Sequence, residues 1–476
     1  WNSATTGQTQ AVGDNSGNLT SVVGLTTAQM FDKANFAGFD FNSIWNNADN
    51  QTTPYFKNHV GLNSVFNKND STNALYNVIQ NIHHLQGVNN NLGGKYVLGN
   101  HIEAVDTVNW NAGQGFSPIG DSSNHFTGKF DGLGYTVNDL YINRLDTGNV
   151  GLFARIRNAT VQNIGLNRAT VTGKNDVGSL IGEMNNSTLQ NSYSSDANVT
   201  GEQAVGGLVG SSYTSTIAQS YSTGMVKGRA QTGGLVGTNS QQSTIKESYS
   251  AADVDGNGIV LTGGLAGHNN DSNISQSYAT GQITGVGGAL VGVNENNAQI
   301  IQSYWSTGIS GAARGIDITQ LGGSIDSDSK DLTAEQMKSS ASFVGFDIDG
   351  QGGTGKVWRI YEGNTAPLLR SFLTQATLGT VANQSKTYNG QMQSVDLSGV
   401  PLAGLDSSKI FAGQSSSKNV GTYNIGLYSN QQGYDLIGGS ASLTINKADL
   451  ALTGLSAGNK VYDATTVATL TGTASV

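Results

Sequence analysis

Few residues of this chain are spaced for chemistry. The six histidines His59, His83, His84, His101, His125 and His268 are scattered. None forms the i, i+4 pair with a carboxylate partner that a zinc site requires. His83-His84 falls in a stretch with helical periodicity, where a solvated ring is the plain expectation. Two acidic segments have the look of calcium loops. Asp253-Val254-Asp255-Gly256-Asn257-Gly258 opens in the Asp-x-Asp-x-Asn-Gly manner, and Asp347-Ile348-Asp349-Gly350-Gln351-Gly352 is a second partial match. The acid that an EF-hand places at its twelfth position falls on Gly264, so that pattern fails. Asp, Asn and Gly are also ordinary turn residues. The candidate metal ligands are therefore Asp253, Asp255 and Asn257, with a simple turn as the competing reading, and no cofactor other than calcium is indicated. No Gly-x-Ser-x-Gly nucleophile elbow with a matching triad stands out.

The one periodic aromatic feature is a Ser-Tyr pair at Ser192-Tyr193, Ser220-Tyr221, Ser248-Tyr249, Ser277-Tyr278 and Ser303-Tyr304. The tyrosines are 28, 28, 29 and 26 residues apart. Two functions suit such a ladder. Tyr193, Tyr221, Tyr249, Tyr278 and Tyr304 either stack on one another as structure, or line an exposed strip on which sugar rings stack. A glycan-cleaving enzyme needs clustered carboxylates on one face. Glu183, Lys227, Glu247 and Asp271 fall at different places in the repeat, so no catalytic role is expected.

The elements that carry these residues are themselves repeats. Gly178-Ser179-Leu180-Ile181-Gly182 recurs as Gly206-Gly207-Leu208-Val209-Gly210, Gly233-Gly234-Leu235-Val236-Gly237 and Gly263-Gly264-Leu265-Ala266-Gly267, with variants at 150–154 and 288–292. A period near 28 with short apolar runs reads as one coil of a β-solenoid, whose coils bury their apolar residues only by stacking. Ile217, Ile245, Ile274 and Ile300 are expected inside, with the apolar pair of each glycine block. The glycines are expected to take positive φ at corners and to allow close approach of neighbouring coils. A phosphate-binding role would need a helix after the block. Here a strand-like run follows instead. Connections between parallel strands default to the right hand.

A second repeat flanks the solenoid at an offset of 307: Leu25-Thr26-Thr27-Ala28-Gln29-Met30 with Leu332-Thr333-Ala334-Glu335-Gln336-Met337, and Phe36-Ala37-Gly38-Phe39-Asp40-Phe41 with Phe343-Val344-Gly345-Phe346-Asp347-Ile348. Trp45 and Trp358, then Pro54 and Pro367, follow. Thr26 with Gln29, and Thr333 with Gln336, have capping-box spacing, flanked by staple pairs Leu25–Met30 and Leu332–Met337. Each copy is expected to form a helical turn and an aromatic plug over a terminal coil. The organisation predicted is the end of a preceding solenoid at 1–58, a β-helix at 70–312, a closing segment at 313–374, a small antiparallel β module at 376–447 and the start of another at 448–476. Within the second region, 71–85 places Leu75, Val78, Ile79, Ile82 and Leu85 on one helical face, and 126–137 reads as strand, Asp-Gly turn, strand. Lys386-Thr387-Tyr388-Asn389-Gly390 recurs as Lys460-Val461-Tyr462-Asp463-Ala464, marking the two modules.

Composition agrees with an all-β, right-handed parallel β-helix carrying short helical caps. Glycine makes up 65 of 476 residues, charged residues only 12%, and proline occurs four times. The net charge of −9 without basic clusters excludes a nucleic-acid footprint and a polybasic membrane anchor. There is no cysteine for disulfides or thiolate sites, and no apolar run of about 18 residues to span a bilayer. The chain is read as a piece of a longer exported protein, monomeric and without membrane insertion.

The glycine and Ser-Tyr blocks resemble GLUG-motif repeats. The lead-in at 126–134 and the Leu-Thr-x-x-Gln-Met close at 332–337 are the usual surroundings of such repeats. The Lys-x-Tyr-Asn/Asp segments resemble MBG/YDG domains, although Asn389 replaces Asp in one copy and Ala464 replaces Gly in the other. Together they are similar to filamentous-haemagglutinin-like bacterial exoproteins. GLUG repeats occur in IgA-protease-like proteins too. The resemblance implies a cell-surface or secreted adhesin engaged in attachment or biofilm, with a carbohydrate or surface ligand. The alternatives are a passive stalk projecting a tip domain and a glycan-cleaving β-helix enzyme.

Overall fold

The computed structural model describes residues 2–6, 23–57, 62–257, 261–307, 315–319, 322–379, 382–394, 396, 402, 404–413 and 416–475. His59 and Gly258 lie outside them. The chain divides into two compact units, 1–349 with 356–360 and 366–372, and 350–355 with 361–365 and 373–476.

The first unit is a parallel β-solenoid. One sheet takes a strand from each of seven successive coils, Phe153–Arg157, Ile181–Asn185, Val209–Tyr213, Val236–Ser240, Ala266–Asn270, Val291–Glu295 and Ile316–Thr319. A second sheet stacks Thr160–Gln162, Thr188–Gln190, Thr216–Ala218, Thr244–Lys246, Asn273–Ser275 and Gln299–Ile301, and a third carries the tyrosines. A fourth is short: Asn175–Gly178, Gln203–Gly206, Ala230–Gly233 and Thr262–Gly263. Register follows the sequence repeat residue for residue. Ile181, Val209, Val236, Ala266 and Val291 are successive partners, as are Leu189, Ile217, Ile245, Ile274 and Ile300. All are buried in one continuous core. Each large apolar side chain buried in this core contributes about 1.5–3 kcal/mol.

The glycine blocks do half of what the repeat implies. None of their glycines takes a positive φ, whereas the turn residues Asn191, Gln219, Glu247, Gln276 and Gln302 all do. The blocks exist for close approach. A Cβ on Gly210 would sit 2.5 Å from the Gly182 carbonyl oxygen and the Val177 nitrogen, both backbone atoms of the preceding coil. The left-handed turns are instead fixed by serines. The amide of each of Ser192, Ser220, Ser248 and Ser277 donates to the hydroxyl of the equivalent serine one coil on, at 3.2–3.3 Å. Each hydroxyl of Ser192, Ser220, Ser248 and Ser277 in turn donates to the carbonyl two residues back, at 2.8–2.9 Å. Buried turn amides that no strand can pair are satisfied in this way. Asn239, Asn269 and Asn294 form a comparable buried amide ladder at 2.8 Å.

Two expectations change. The stretch 71–85 is not one helix. Leu75–Ile79 is a strand, paired antiparallel with Asn63–Phe66 and parallel with Lys95–Leu98. Only Ile82–Gln86 is helical, capped by the Asn81 side chain, which accepts from the His84 amide. The open sheet edge captures the β-branched Val78-Ile79, and Leu75 is left 59% exposed on the outer face. The closing segment does not plug the terminal coil either. Its first part carries the solenoid past 312 by one more coil, Ile316–Thr319, Ser324–Ile325 and Lys330–Leu332. The rest doubles back along the side of the solenoid as a strap, built on the strands Ile348–Asp349, Trp358–Arg359 and Leu368–Leu369.

In the second unit, Gly421–Tyr428 pairs antiparallel with Ser440–Asn446 over a core of Leu443 and Ile445. Gln384–Thr387 and Thr374–Thr377 pair parallel, with Ser440–Asn446 and Tyr434–Ile437 respectively. The module is therefore mixed and not purely antiparallel; the long connections between partners supply the crossovers that parallel pairing needs. The described residues of 448–475 are all exposed and contribute one short strand pair, Ser456–Ala457 with Leu470–Thr471.

Candidate functional site

The solenoid carries a polar groove where its first and fourth sheets meet. The cause is the glycine block. The short strand ending at Gly178 turns sharply through Ser179-Leu180 into Ile181–Asn185, and each coil repeats the corner. Residues seven apart thereby come to face each other across a concave angle. One wall stacks Arg155, Glu183, Ser211, Thr238 and His268 in register. Asn185, Tyr213, Ser240 and Asn270 stack beside them. The other wall presents Asn175 and Gln203, with Asp176, Ala204 and Gln231 in left-handed backbone conformation. The enclosed space is about 320 Å³.

Its polar groups are chained along the solenoid axis. The Gln203 side chain donates to Gln231 Oε1 at 3.2 Å. The Gln231 amide lies 3.2 Å from His268 Nδ1, and His268 Nε2 lies 2.9 Å from Glu295 Oε1. At the other end Ser211 Oγ donates to the Asp176 carboxylate. Burial pushes the Asp176 carboxyl above its usual range, with Glu183 adding to the rise and Arg155 opposing it. Glu183 itself is paired with Arg155 at 2.7 Å and accepts from Asn149 at 2.8 Å. Burial likewise raises the Tyr213 phenol. The Thr238 hydroxyl is buried on the groove wall with no hydrogen-bond partner among the described residues. The concave strip thus carries Arg155 at one end and His268 at the other, with carboxyl, hydroxyl and amide groups between them.

The tyrosines are placed differently from a sugar-binding strip. Tyr193, Tyr221, Tyr249 and Tyr278 stack face to face, 4.9 Å between centroids and within 4° of parallel. The strap then covers them. Phe372 meets Tyr193 and Tyr221 edge-on, Trp358 lies against Tyr249 and Tyr278, and Phe343 and Phe346 pack on Tyr304. Tyr278 and Tyr304 donate their hydroxyls to the strap carbonyls of Pro367 and Val344. All five rings are buried, so no face is left for a sugar.

The calcium candidates are also placed otherwise. Asp253 and Asp255 lie on the strand Tyr249–Asp255 and not in a loop. Asp253 accepts from the Gln282 amide at 2.9 Å, and Asp255 from the Asn257 amide at 3.0 Å while paired with Lys227 at 3.3 Å. Asp347 and Asp349 are held by Lys356 and Arg370. Among the described residues no group of three or more His, Asp and Glu could hold a metal.

Sequence reading missed the meeting of Asp176 with Glu183, since nothing but the corner brings positions seven apart together. It also missed a second, shallower groove. There His83 stacks on Trp110 at 5.0 Å, and Gln86 clamps the backbone of Ser117.

With this geometry in place the relatives can be compared. Residues 201–227 and 258–284 match the GLUG motif. Residues 50–201 match the N-terminal region of the M26 IgA1-specific metallo-endopeptidases. Halomucin of Haloquadratum walsbyi is 34% identical over 128 residues, 25% of this chain and 1% of halomucin. A provisionally named Gly-rich membrane protein of Evansella cellulosilytica is 35% identical over 115 residues, 23% of this chain and 13% of that protein. The chain thus spans a small fraction of these relatives. Among solved structures, a provisionally assigned immunoglobulin A1 protease from Bacteroides ovatus aligns over 63% of this chain and 94% of its own at 17% identity, TM-score 0.47. An IgA1 protease aligns over 59% and 25% at 18% identity, TM-score 0.42.

Proposed function

We propose that this chain is a segment of a secreted or cell-surface adhesin that binds a neutral polysaccharide along the groove formed by Asp176, Gln203, Ser211, Gln231 and His268. The observation that carries the reading is the groove itself: one wall places a polar side chain on each of five stacked coils, Arg155, Glu183, Ser211, Thr238 and His268, as suits an extended ligand lying along the solenoid axis. The match to GLUG repeats and the names of the two curated relatives support an extracellular or surface location. The protease match falls on an N-terminal region, and this segment is read as a binding one. The module at 376–447 is read as MBG/YDG-like, within a haemagglutinin-like exoprotein. The test is a glycan array, bacterial exopolysaccharides included, probed with the folded full chain beside Gln231→Ala and Ser211→Ala. A hit weakened tenfold or more by either substitution supports the groove; a hit that ignores both moves binding elsewhere. A clean blank favours a passive stalk, a reading that the strapped, ladder-stiffened solenoid supports. Release of shortened glycan would instead point to Asp176 as an acid.

A further inference from the structure

The two copies of the flanking repeat fold alike but are buried differently. In both, the capping box closes: Thr26 and Thr333 donate their amides to Gln29 and Gln336 at 2.9 Å. Each continues into two short 3-10 turns, Gln29–Phe31 then Lys33–Asn35, and Gln336–Lys338 then Ser340–Ser342. Each ends in an antiparallel strand pair of the same register, Trp45 opposite Phe56 and Trp358 opposite Leu369. Phe343, Phe346 and Trp358 of the second copy are buried against the stacked tyrosines. Their counterparts form a chain of ring contacts: Phe36 lies 5.2 Å from Phe39, Phe39 is tilted against Trp45 at 4.7 Å, and Trp45 stacks on Phe56 at 4.2 Å. Among the described residues no tyrosine ladder covers them. Phe39 is 42% and Phe56 48% exposed, where Phe346 is 8% and Leu369 0%.

We propose that the Phe36–Phe39–Trp45–Phe56 face is a docking surface for a bare Ser-Tyr ladder, the stacked-tyrosine side of a β-solenoid other than the one in this unit. The occupant is argued from the second copy, which shows what this aromatic set packs against when it is satisfied. It is also argued from the opposite face of the same strand pair. Tyr55, beside Phe56, is buried and donates its hydroxyl to Gly99 at 2.8 Å. That anchors the first copy on the near end of the solenoid and leaves the aromatic side turned outward. The ladder of a second copy of this chain is already strapped, so the partner is a solenoid whose ladder has no strap of its own.

The probe is a full chain carrying Phe343→Ala, Trp358→Ala and Phe372→Ala, which loosens the strap and bares its ladder. Wild-type chain, fluorescently labelled, is titrated with it and followed by anisotropy. Association is expected, and Phe39→Asp with Trp45→Ala in the labelled copy should weaken it at least tenfold. No association with a probe that keeps its β-sheet circular dichroism overturns the proposal, as does association indifferent to Phe39 and Trp45. A matched pair of single variants tests it independently of the probe's folding. Phe346→Ala should lower the melting midpoint by several degrees, and Phe39→Ala by under about one degree. Equal losses would mean that the first face is internal packing, and the docking surface falls.

Discussion

Replacing Tyr249 with alanine isolates the contribution of the ladder. The ring lies between Tyr221 and Tyr278, 4.9 Å from each and within 2° of parallel, with Trp358 at 6.3 Å. Truncating a buried aromatic costs about 3–5 kcal/mol, of which two stacked pairs account for roughly 1–3. The melting entropy of the first unit, at ~2.1 cal/mol/K per residue, is roughly 0.75 kcal/mol/K. A loss of about 4 kcal/mol therefore lowers the midpoint by about 5 °C. Tyr249→Phe keeps the ring and both stacked contacts, so its midpoint should fall much less than that of Tyr249→Ala. The assay is thermal unfolding by circular dichroism, with glycan binding measured well below the transition. A midpoint unchanged to within a degree in Tyr249→Ala would refute the view that the strap and ladder form a core. Binding abolished with the midpoint intact would restore the ladder as a ligand strip.

Three other outcomes follow from the same contacts. Gly210→Ala puts a methyl against the backbone of the neighbouring coil and should cost about 2–3 kcal/mol, while Gly426→Ala, with no atom within 4 Å of the added carbon, should be tolerated; comparing midpoints checks both. Burial raises the Tyr193 and Tyr304 phenols to about 12, above the unfolded value of 10.0. Since the folded chain holds those protons more tightly, its stability is intact below pH 10 and is lost as pH rises from there through about 12, to be followed by unfolding and by tyrosinate absorbance. Millimolar calcium or a chelator should leave the midpoint unchanged, because Lys227 already neutralises Asp255; a rise of several degrees with calcium would show that the acidic strand end is a site after all.

The coil period and its register could be read from the sequence because each coil repeats the same inward residues in the same order. One residue stacks on its equivalent, so the spacing alone marks Ile217, Ile245, Ile274 and Ile300 as inward. The capping boxes were equally local, set by a Thr and a Gln three apart. What could not be read depends on how separate stretches meet. The same apolar positions at 75–85 fit a helix and a strand-then-helix, and only the neighbouring strands at 63–66 and 95–98 decide between them. The direction of the strap depends on Trp358 meeting Tyr249 and Tyr278 from 109 and 80 residues away. The glycine blocks announced a corner. They did not announce that a corner so tight would bring Asp176 beside Glu183.

The strap also decides where tension enters the rod. A pull on the chain beyond residue 372 is not first felt by the last coil. It arrives at Phe372, which is seated on Tyr193 and Tyr221. From there to Phe343 on Tyr304 the aromatic contacts run the length of the ladder. Force applied from that side is thus shared in shear across five coils at once, and the terminal coil is spared the peeling that would unzip an unstrapped solenoid one strand at a time.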